Sequence, residues 1–354
     1  MRVLVLGATG YVGSRLVPAL LDAGHDVVAS SSRAPRPDAH AWGDRVEWRR
    51  CDATDRDQVD TALAGVDALV YLVHSLDSAG FADRDRLAAR TVGEALITSS
   101  VHRVVYLSGL VPDVPPAALS AHLSSRHEVE SLLADSGRSF LALRAGVVIG
   151  AGSTSFEIIR QLATLLLVQP VPVWMNRRVQ PVAVSDIVRA LVEVVATDTG
   201  SGAVTGSLDV GGPDVVSYPD LMSVVSRAAG LRRLRIPVLA APSTAVGLGM
   251  AALSAAPPRT ALALAHSLRE DMVCRPDHTW VPLDGEPLLD IGTAVALALA
   301  DDPDVAESSR RGDADWTRGQ AVLEALPSPA SVRAAGLLAV RRLRAARAML
   351  DRPD

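Results

Sequence analysis

The chain has 354 residues, of which 49% are hydrophobic, and this is enough for a large buried core. Its formal net charge of −5 and the absence of a strongly basic domain argue against a nucleic-acid partner. Cys51 and Cys274 are far apart in sequence, which excludes a disulfide framework or a zinc site and fits a reducing compartment. Without a recognisable signal peptide, the sequence predicts a cytoplasmic protein with no metal centre.

The first elements predict a dinucleotide-binding turn. Residues 2–6 are an apolar, β-branched run typical of a buried strand, and residues 14–23 predict a helix that ends before Gly24. Between them lies GATGYVG, in which Gly7 permits a tight turn, Gly10 lets a pyrophosphate approach and Gly13 allows close packing of helix on strand. A phosphate then lies at the helix N-terminus. The expected cofactor contacts in this turn are Gly7, Thr9, Gly10, Tyr11, Val12 and Gly13.

The end of the second predicted strand, residues 26–29, indicates which dinucleotide binds. NAD-binding proteins usually carry an acidic residue there, which holds the ribose 2′-hydroxyl. This chain instead has Ser30 followed by Ser31, Ser32 and Arg33. Hydroxyl groups and a guanidinium suit a 2′-phosphate, because arginine pairs with phosphate in a bidentate manner. The sequence therefore favours NADP(H) over NAD(H), with a solvated loop charge as the alternative role of Arg33.

Strands and helices continue to alternate, with strands expected at 46–49, 66–73 and 104–107 and helices at 55–64 and 87–100. This order predicts an α/β fold: a Rossmann-type doubly wound parallel sheet with a smaller C-terminal substrate lobe and a helical tail. The expected divisions are an NAD(P)-binding domain over 1–150, an interleaved substrate lobe over 151–300, and a linker with a C-terminal helix over 301–354. Ligands bind at the carboxyl ends of such strands. The residues at those ends are Asp52, Leu72, Val73, His74, Ser108 and Gly109.

Six segments carry a family resemblance: GATGYVG, YLVHSL, YLSGL, HLSSRHEVESLLADSG, LRAGVVIG and QPVAVSDI. With them, in this order, the chain resembles the NmrA-like/YbjT-like atypical short-chain dehydrogenases over residues 1–230. The resemblance implies a cofactor under the glycines of the turn, with Asp52 at the adenine edge. It also implies that Leu72, Val73 and His74 lie by the adenine and ribose, and that Ser108 lies near the nicotinamide.

The usual catalytic set of this superfamily is incomplete here. Typical members pair a tyrosine and a lysine, spaced Tyr-x-x-x-Lys on one helical face, to handle the substrate proton. This chain contains no lysine, and His122 and Arg126 stand at the aligned positions. The pair is open to three interpretations: a substitute acid–base pair, a cofactor clamp without chemistry, or residues that only decorate a helix start. Ser108 is a further catalytic candidate, and His74 is more readily a hydrogen-bonding residue beside the cofactor.

The second lobe is expected to border an apolar pocket. A strand over 140–144 leads into Gly146 and Val147, which should line the nicotinamide end. A helix is expected over 156–167, and substrate contacts are expected from Trp174, Arg177 and Gln180 in the stretch that follows. Asp186 is predicted to cap the next helix at its N-terminus.

Two segments raise the question of a membrane. Residues 236–258 carry no charge and are long enough to span a bilayer, but their prolines and small residues favour a buried or interfacial helix. The helix expected over 331–350 carries five arginines, which suits either an anionic membrane surface or, more commonly, a solvated basic face. Residues 301–319 are a polar, charged linker.

Two functions compete. The first is an NADP(H)-dependent oxidoreductase or epimerase-like enzyme that acts on a small substrate of unknown identity, and a hydrophobic one suits the pocket. The second is a non-catalytic NADP(H)-binding protein, either a redox sensor or a structural or assembly subunit. The missing Tyr-x-x-x-Lys pair favours the second, whereas the substrate lobe, Ser108 and His122 favour the first.

Overall fold

A computed structural model describes residues 1–75, 80–197, 205–239, 241–300, 313–318 and 343. Its strands are β1 (Arg2–Leu6), β2 (Asp26–Ser31), β3 (Glu47–Arg50), β4 (Ala68–Tyr71), β5 (Arg103–Gly109), β6 (Ser139–Ala145), β7 (Val148–Ile149), β8 (Val168–Pro172), β9 (Arg178–Val179), β10 (Val182–Ala183), β11 (Thr205–Val210), β12 (Val216–Ser217) and β13 (Leu234–Val238). Its helices are α1 (Gly13–Asp22), α2 (Arg56–Leu63), α3 (Phe81–Thr98), α4 (Ala121–Ala134), α5 (Thr154–Leu165), α6 (Val184–Ala196), α7 (Tyr218–Ala228), α8 (Ser243–Leu253), α9 (Pro258–Ser267), α10 (Ile291–Ala300) and α11 (Asp315–Arg318).

The centre of the fold is a seven-stranded sheet in the order β11-β6-β5-β4-β1-β2-β3. Every neighbouring pair in it is parallel. The expected Rossmann-type fold is therefore confirmed. β11 comes from the second half of the chain and pairs with β6, so the later segment completes the sheet begun by the first.

Helices cover both faces of the sheet, because alternate strand residues point to opposite sides. In β1, Leu4 and Leu6 are buried against α2, α3 and α4, whereas Val3 and Val5 are buried against α1 and α6. With apolar residues on both faces, the central strands read as continuous hydrophobic runs, as expected for a buried parallel sheet. The carboxyl ends of these strands remain open to a ligand.

A helical second lobe lies at that end of the sheet, and α5 is its central element. Phe156 of α5 packs in one apolar cluster with Leu221 of α7, and this cluster includes α10. Ile158 of α5 packs in another with Met250 of α8 and Ala265 of α9. Three two-stranded pairs, β7–β10, β9–β12 and β8–β13, connect the segments between these helices.

The predicted cap at Asp186 is wrong. α6 begins at Val184, directly after β10, and Ala183 is its N-cap residue without a side-chain hydrogen bond. Asp186 therefore lies inside the first turn, where its Oδ2 accepts a hydrogen bond from the Leu289 amide at 3.1 Å. Its carboxylate holds the chain that leads into α10.

The uncharged segment 236–258 divides into the end of β13 and the eleven-residue helix α8, with Pro242 as the N-cap of α8. None of the helices that the structure describes has the length and apolar character needed to cross a bilayer. The helix expected over 331–350 lies outside the described residues apart from Leu343, and the expected linker is described only over 313–318.

Candidate functional site

The glycine turn between β1 and α1 forms a cradle that side chains would fill. Gly7 has a φ of 91°, a backbone conformation that favours glycine, and its carbonyl accepts a hydrogen bond from the Gly10 amide at 3.0 Å. A Cβ on Gly13 would lie 2.2 Å from the Gly7 carbonyl oxygen and 2.8 Å from the Cα of Ala8. α1 starts at Gly13 with no side-chain cap, so no side chain of its N-cap occupies the N-terminus. These features suit an anionic phosphate group.

Ser30, near the end of β2, contacts the end of β1 and the first residue of this turn. It is buried, its hydroxyl donates to the Val5 carbonyl at 3.0 Å, and its Oγ lies 3.4 Å from the Gly7 amide nitrogen. Beyond it, Ser31 Oγ accepts a hydrogen bond from the Arg33 amide at 3.2 Å, while Ser32 and Arg33 are exposed. Hydroxyl groups and one guanidinium thus follow the strand beside the glycine turn.

A single cavity of about 590 Å³ extends from the glycine turn into the second lobe. It is the size of a pocket for a small-molecule ligand. Most of the site residues expected from the sequence line it: Gly7, Gly10, Tyr11, Val12, Gly13, Leu72, His74, Ser108, His122, Arg126, Gly146 and Val147. Residues far apart in sequence therefore meet at the carboxyl ends of β1, β4, β5 and β6.

The remaining expected cofactor residues do not line this cavity: Thr9, Ser31, Ser32, Arg33, Asp52 and Val73. Val73 packs against the core on the α2–α4 face of the sheet. Asp52 stands after β3, where its Oδ1 accepts hydrogen bonds from the Thr54 amide at 3.0 Å and the Thr54 hydroxyl at 2.8 Å. The amide bond, as the largest cause, lowers the pKa of Asp52.

The three expected substrate residues also lie outside the cavity lining. The Trp174 indole N–H donates to the Ala241 carbonyl at 2.7 Å, and Arg177 is exposed. Gln180 donates to the Gly212 carbonyl at 2.8 Å and accepts from the Cys274 amide at 2.9 Å. Trp174 and Gln180 therefore connect segments of the second lobe, a contact pattern that sequence spacing does not reveal.

Ser108 and Arg126 form the polar floor of the cavity. Ser108, in β5, is only 5% exposed and lines the cavity. Burial raises the pKa of Tyr106 overall, and side-chain contacts with Arg126 and with Ser108 oppose that rise. Arg126 Nη1 lies 3.4 Å from both the Tyr106 hydroxyl and the Leu107 carbonyl oxygen. A buried hydroxyl that lines a cavity can also hydrogen-bond to a ligand placed there.

Both histidines of the cavity are neutral at physiological pH. Desolvation, followed by the positive charge of Arg126, lowers the pKa of His122 to about 3. The same causes, desolvation first, lower the pKa of His74, which lines the cavity and is exposed. A neutral imidazole can donate or accept a hydrogen bond, but at pH 7 neither ring is the positively charged proton donor of a typical acid catalyst.

The far end of the cavity is formed by helices that the sequence analysis did not assign to the site. Side chains of α5, α8 and α9, including Leu162, Met250 and Leu264, line it. The absence of charge from residues 236–258 is the sequence signal that could have identified this wall.

A contact with the C-terminal segment was also not anticipated. Arg15 of α1 donates to Asp313 Oδ1 at 2.8 Å and to the Tyr11 carbonyl at 2.9 Å, and its guanidinium carbon lies 4.0 Å from the centre of the Tyr11 ring. Asp313 is 6% exposed, and Trp316 packs against the cluster that contains α8 and α9. Residues 313–318 thus contact both the glycine turn and the second lobe.

Comparison with known proteins points to the same kind of ligand as the glycine turn. Residues 7–166 match the model of a family described as NAD(P)H-binding. An uncharacterized protein of Mycobacterium tuberculosis is 26% identical over 243 residues, which are 67% of this chain and 24% of that protein, so the chain spans about a quarter of the length of this relative. A 3-diazoavenalumate denitrifying reductase of a Streptomyces species is 33% identical over 185 residues, or 43% of this chain and 58% of the reductase.

Among solved structures, that of a nucleoside-diphosphate-sugar epimerase from Staphylococcus aureus is similar with a TM-score of 0.64. The similarity covers 84% of this chain and 100% of that chain, at 14% sequence identity. At this identity the similarity shows the shared fold alone.

Proposed function

We propose that this chain is an atypical short-chain dehydrogenase-like protein and an oxidoreductase that transfers a hydride between NADP(H) and a carbonyl or alcohol group of a small substrate. The observation that carries the proposal is the continuous cavity, which joins the glycine turn to a second-lobe chamber past the buried Ser108 hydroxyl. One of the relatives is by name a reductase, which supports a reductive reaction.

The residues present fit a dinucleotide. The cradle at Gly7 and Gly13 has no room for a Cβ at Gly13, and the uncapped start of α1 suits a pyrophosphate. Leu72 and His74 at the end of β4 would flank the ribose, and Gly146 and Val147 after β6 would flank the nicotinamide. When bound, the reduced dinucleotide supplies a hydride to a carbonyl carbon.

The protein's own groups act on the substrate oxygen. The Ser108 hydroxyl donates a hydrogen bond to that oxygen and passes its proton to the alkoxide that hydride transfer leaves, and solvent water then reprotonates the serine. Burial of Ser108 gives the hydrogen bond more weight than it would have in water. Arg126 lines the same cavity and contributes a fixed positive charge that stabilises negative charge developing on the oxygen. His122, with a pKa of about 3, orients the substrate or ribose as a neutral hydrogen-bonding group. These roles of His122 and Arg126 favour binding and charge stabilisation over proton transfer, the first of the three interpretations of the pair.

The preference for NADP(H) over NAD(H) rests on the end of β2. Ser31 is the last residue of β2, the strand that pairs with β1, and the exposed residues Ser32 and Arg33 follow it. A 2′-phosphate at this place gains hydroxyl donors and a bidentate guanidinium. The same three residues offer no carboxylate to a ribose diol.

The test measures binding before turnover. The purified chain is titrated separately with NADPH and NADH while its melting temperature is recorded, because a ligand that binds only the folded state must raise that temperature. NADPH oxidation is then followed at saturating cofactor with a panel of aldehydes and ketones. We expect a rise with NADPH at lower concentration than with NADH, and turnover that Ser108→Ala reduces. A melting temperature that neither nucleotide changes would refute cofactor binding.

A non-catalytic NADP(H) sensor or structural subunit is the second candidate. It is favoured by the lowered pKa values of both histidines and by the absence of lysine from the chain. It predicts tight NADPH binding without oxidation of any carbonyl in the panel, together with an oligomeric state or partner that changes with the NADP⁺/NADPH ratio.

A further inference from the structure

The cavity ends in a chamber with apolar walls, which we call the apolar chamber. Its walls are side chains of α5, α8 and α9: Ile159, Leu162, Val246, Met250, Leu253 and Leu264. The chamber is continuous with the polar floor at Ser108, so a molecule lying in it can present one polar group to that hydroxyl.

Charge is nearly absent from this space. Among the described residues that line the whole cavity, Arg126 is the one with a permanent charge, and it lies on α4 beside the carboxyl end of β5. Two of the hydroxyl groups that line the cavity are already used within the protein, since Ser153 donates to the Val148 carbonyl at 2.9 Å and the Ser267 and Ser120 hydroxyls lie 3.0 Å apart.

This lining discriminates between substrate classes. A phosphate or carboxylate inside the chamber would lose its hydration and find no cation to replace it, and an unpaired buried charge is strongly unfavourable. An apolar body would instead remove its own surface and that of the walls from water, which is favourable.

We propose that the apolar chamber binds the body of an uncharged, apolar substrate whose single carbonyl or hydroxyl group reaches Ser108. The proposal rests on the proposed oxidoreductase function and names its substrate class. It assigns binding of the substrate body to α5, α8 and α9, and it excludes from this chamber any phosphate or carboxylate group, such as that of a nucleotide-linked substrate.

Gly249 provides a way to fill the chamber without disturbing the fold. It lies in the middle of α8, lines the cavity, and a Cβ built on it meets no atom within 4 Å. A phenylalanine at this position therefore grows into open space rather than into packed neighbours. Ile97 on α3 is 59% exposed and outside the cavity, so Ile97→Phe places the same ring where it cannot block the chamber.

The experiment uses the full chain, with and without NADPH, and the uncharged fluorophore 1-aminoanthracene as the probe. Its dissociation constant is measured for the unaltered chain and for Gly249→Ala, Gly249→Leu, Gly249→Phe and Ile97→Phe. Decan-2-one, decanedioate and UDP-glucose are then compared as competitors, because one carboxylate of decanedioate must lie in the chamber when the other reaches the polar floor. The melting temperature of each variant without ligand shows that its fold is intact.

We expect the fluorophore to bind more than tenfold more weakly to Gly249→Phe, less weakly in graded order to the Leu and Ala variants, and unchanged to Ile97→Phe. Decan-2-one should displace it, whereas decanedioate and UDP-glucose at the same concentration should not. Displacement by UDP-glucose or decanedioate as effective as by decan-2-one, or equal binding to all Gly249 variants, overturns the proposal. If the fluorophore results are as expected but NADPH leaves the melting temperature unchanged, the chamber stands and the proposed function alone fails.

Discussion

Replacing Gly13 with alanine tests whether the glycine turn is built as the structure has it. The added Cβ would lie 2.2 Å from the Gly7 carbonyl oxygen and 2.9 Å from the carbonyl carbon of Ala8. Ordinary contact begins near 3.4 Å, so turn and helix must separate by about 1 Å. Because the opposing atoms are backbone, no side chain can move aside to relieve the clash.

The expected cost follows from two opposing effects. Overpacking of this kind destabilises by about 1–3 kcal/mol. Alanine is preferred to glycine in a helix by about 0.5–1 kcal/mol, which offsets part of that cost. We expect a net loss of about 1–2 kcal/mol in the free energy of unfolding, measured by urea denaturation. Displacing the turn should also weaken NADPH binding more than tenfold.

Gly249→Ala is the matched control, because the same methyl group is added to a helical glycine that has open space around it. There the helix preference acts without a clash, so stability should rise by about 0.5–1 kcal/mol. A loss of stability in Gly13→Ala together with a gain in Gly249→Ala would support the contacts described for the glycine turn. If Gly13→Ala were as stable as Gly249→Ala and kept its affinity for NADPH, the reasoning about the cradle would be refuted.

Four further outcomes are expected. Ser108→Ala should lower kcat for carbonyl reduction by about 100-fold with little change in melting temperature, because the variant removes the hydroxyl that donates to the substrate oxygen and only one small polar group of the core; an unchanged kcat would contradict its role. Arg33→Ala should weaken NADPH binding by about tenfold or more and leave NADH binding nearly unchanged, and equal losses measured by calorimetry would argue against 2′-phosphate recognition. Asp313→Asn removes the ion pair between Asp313 and Arg15 and should lower the free energy of unfolding, measured by urea denaturation, by about 1–3 kcal/mol. An unchanged urea midpoint would contradict this expectation. The pKa of His122 is near 6.5 in the unfolded state and about 3 in the folded state, so the unfolded state binds more protons between these values. The free energy of unfolding should therefore fall as the pH falls from 6.5 toward 4. Thermal unfolding across this pH range measures the slope, which His122→Asn should reduce.

The first half of the molecule was predictable because its signals are local. A strand, a glycine turn and a helix follow one another within residues 2–22, and the roles expected of Gly7 and Gly13 match a φ of 91° and a contact that excludes a Cβ. The alternation of strands and helices was sufficient to expect a parallel sheet. The resemblance aligned His122 and Arg126 with the usual tyrosine–lysine pair and implied that Ser108 lies near the nicotinamide, and these three residues line one cavity.

The substrate side was not predictable in the same way. Trp174 and Gln180 stand in a stretch that borders the second lobe, but their polar atoms bond to segments 67 and 32 residues away along the chain. Asp186 has the character of a helix cap, yet the helix starts two residues earlier and its carboxylate bonds to Leu289 instead. Such partners are set by packing between distant segments, which residue type and spacing do not encode.

The sequence by itself determined the dinucleotide-binding turn, the parallel sheet and the absence of the usual tyrosine–lysine pair, because these depend on steric limits of glycine, local periodicity and residue identity. The tertiary structure alone decided that α5, α8 and α9 enclose one apolar chamber, and that Asp313 is held by Arg15 across 298 positions of the chain. It also decided the charge state of His122, because desolvation by the surrounding protein lowers the pKa of its ring far below the value of a free histidine.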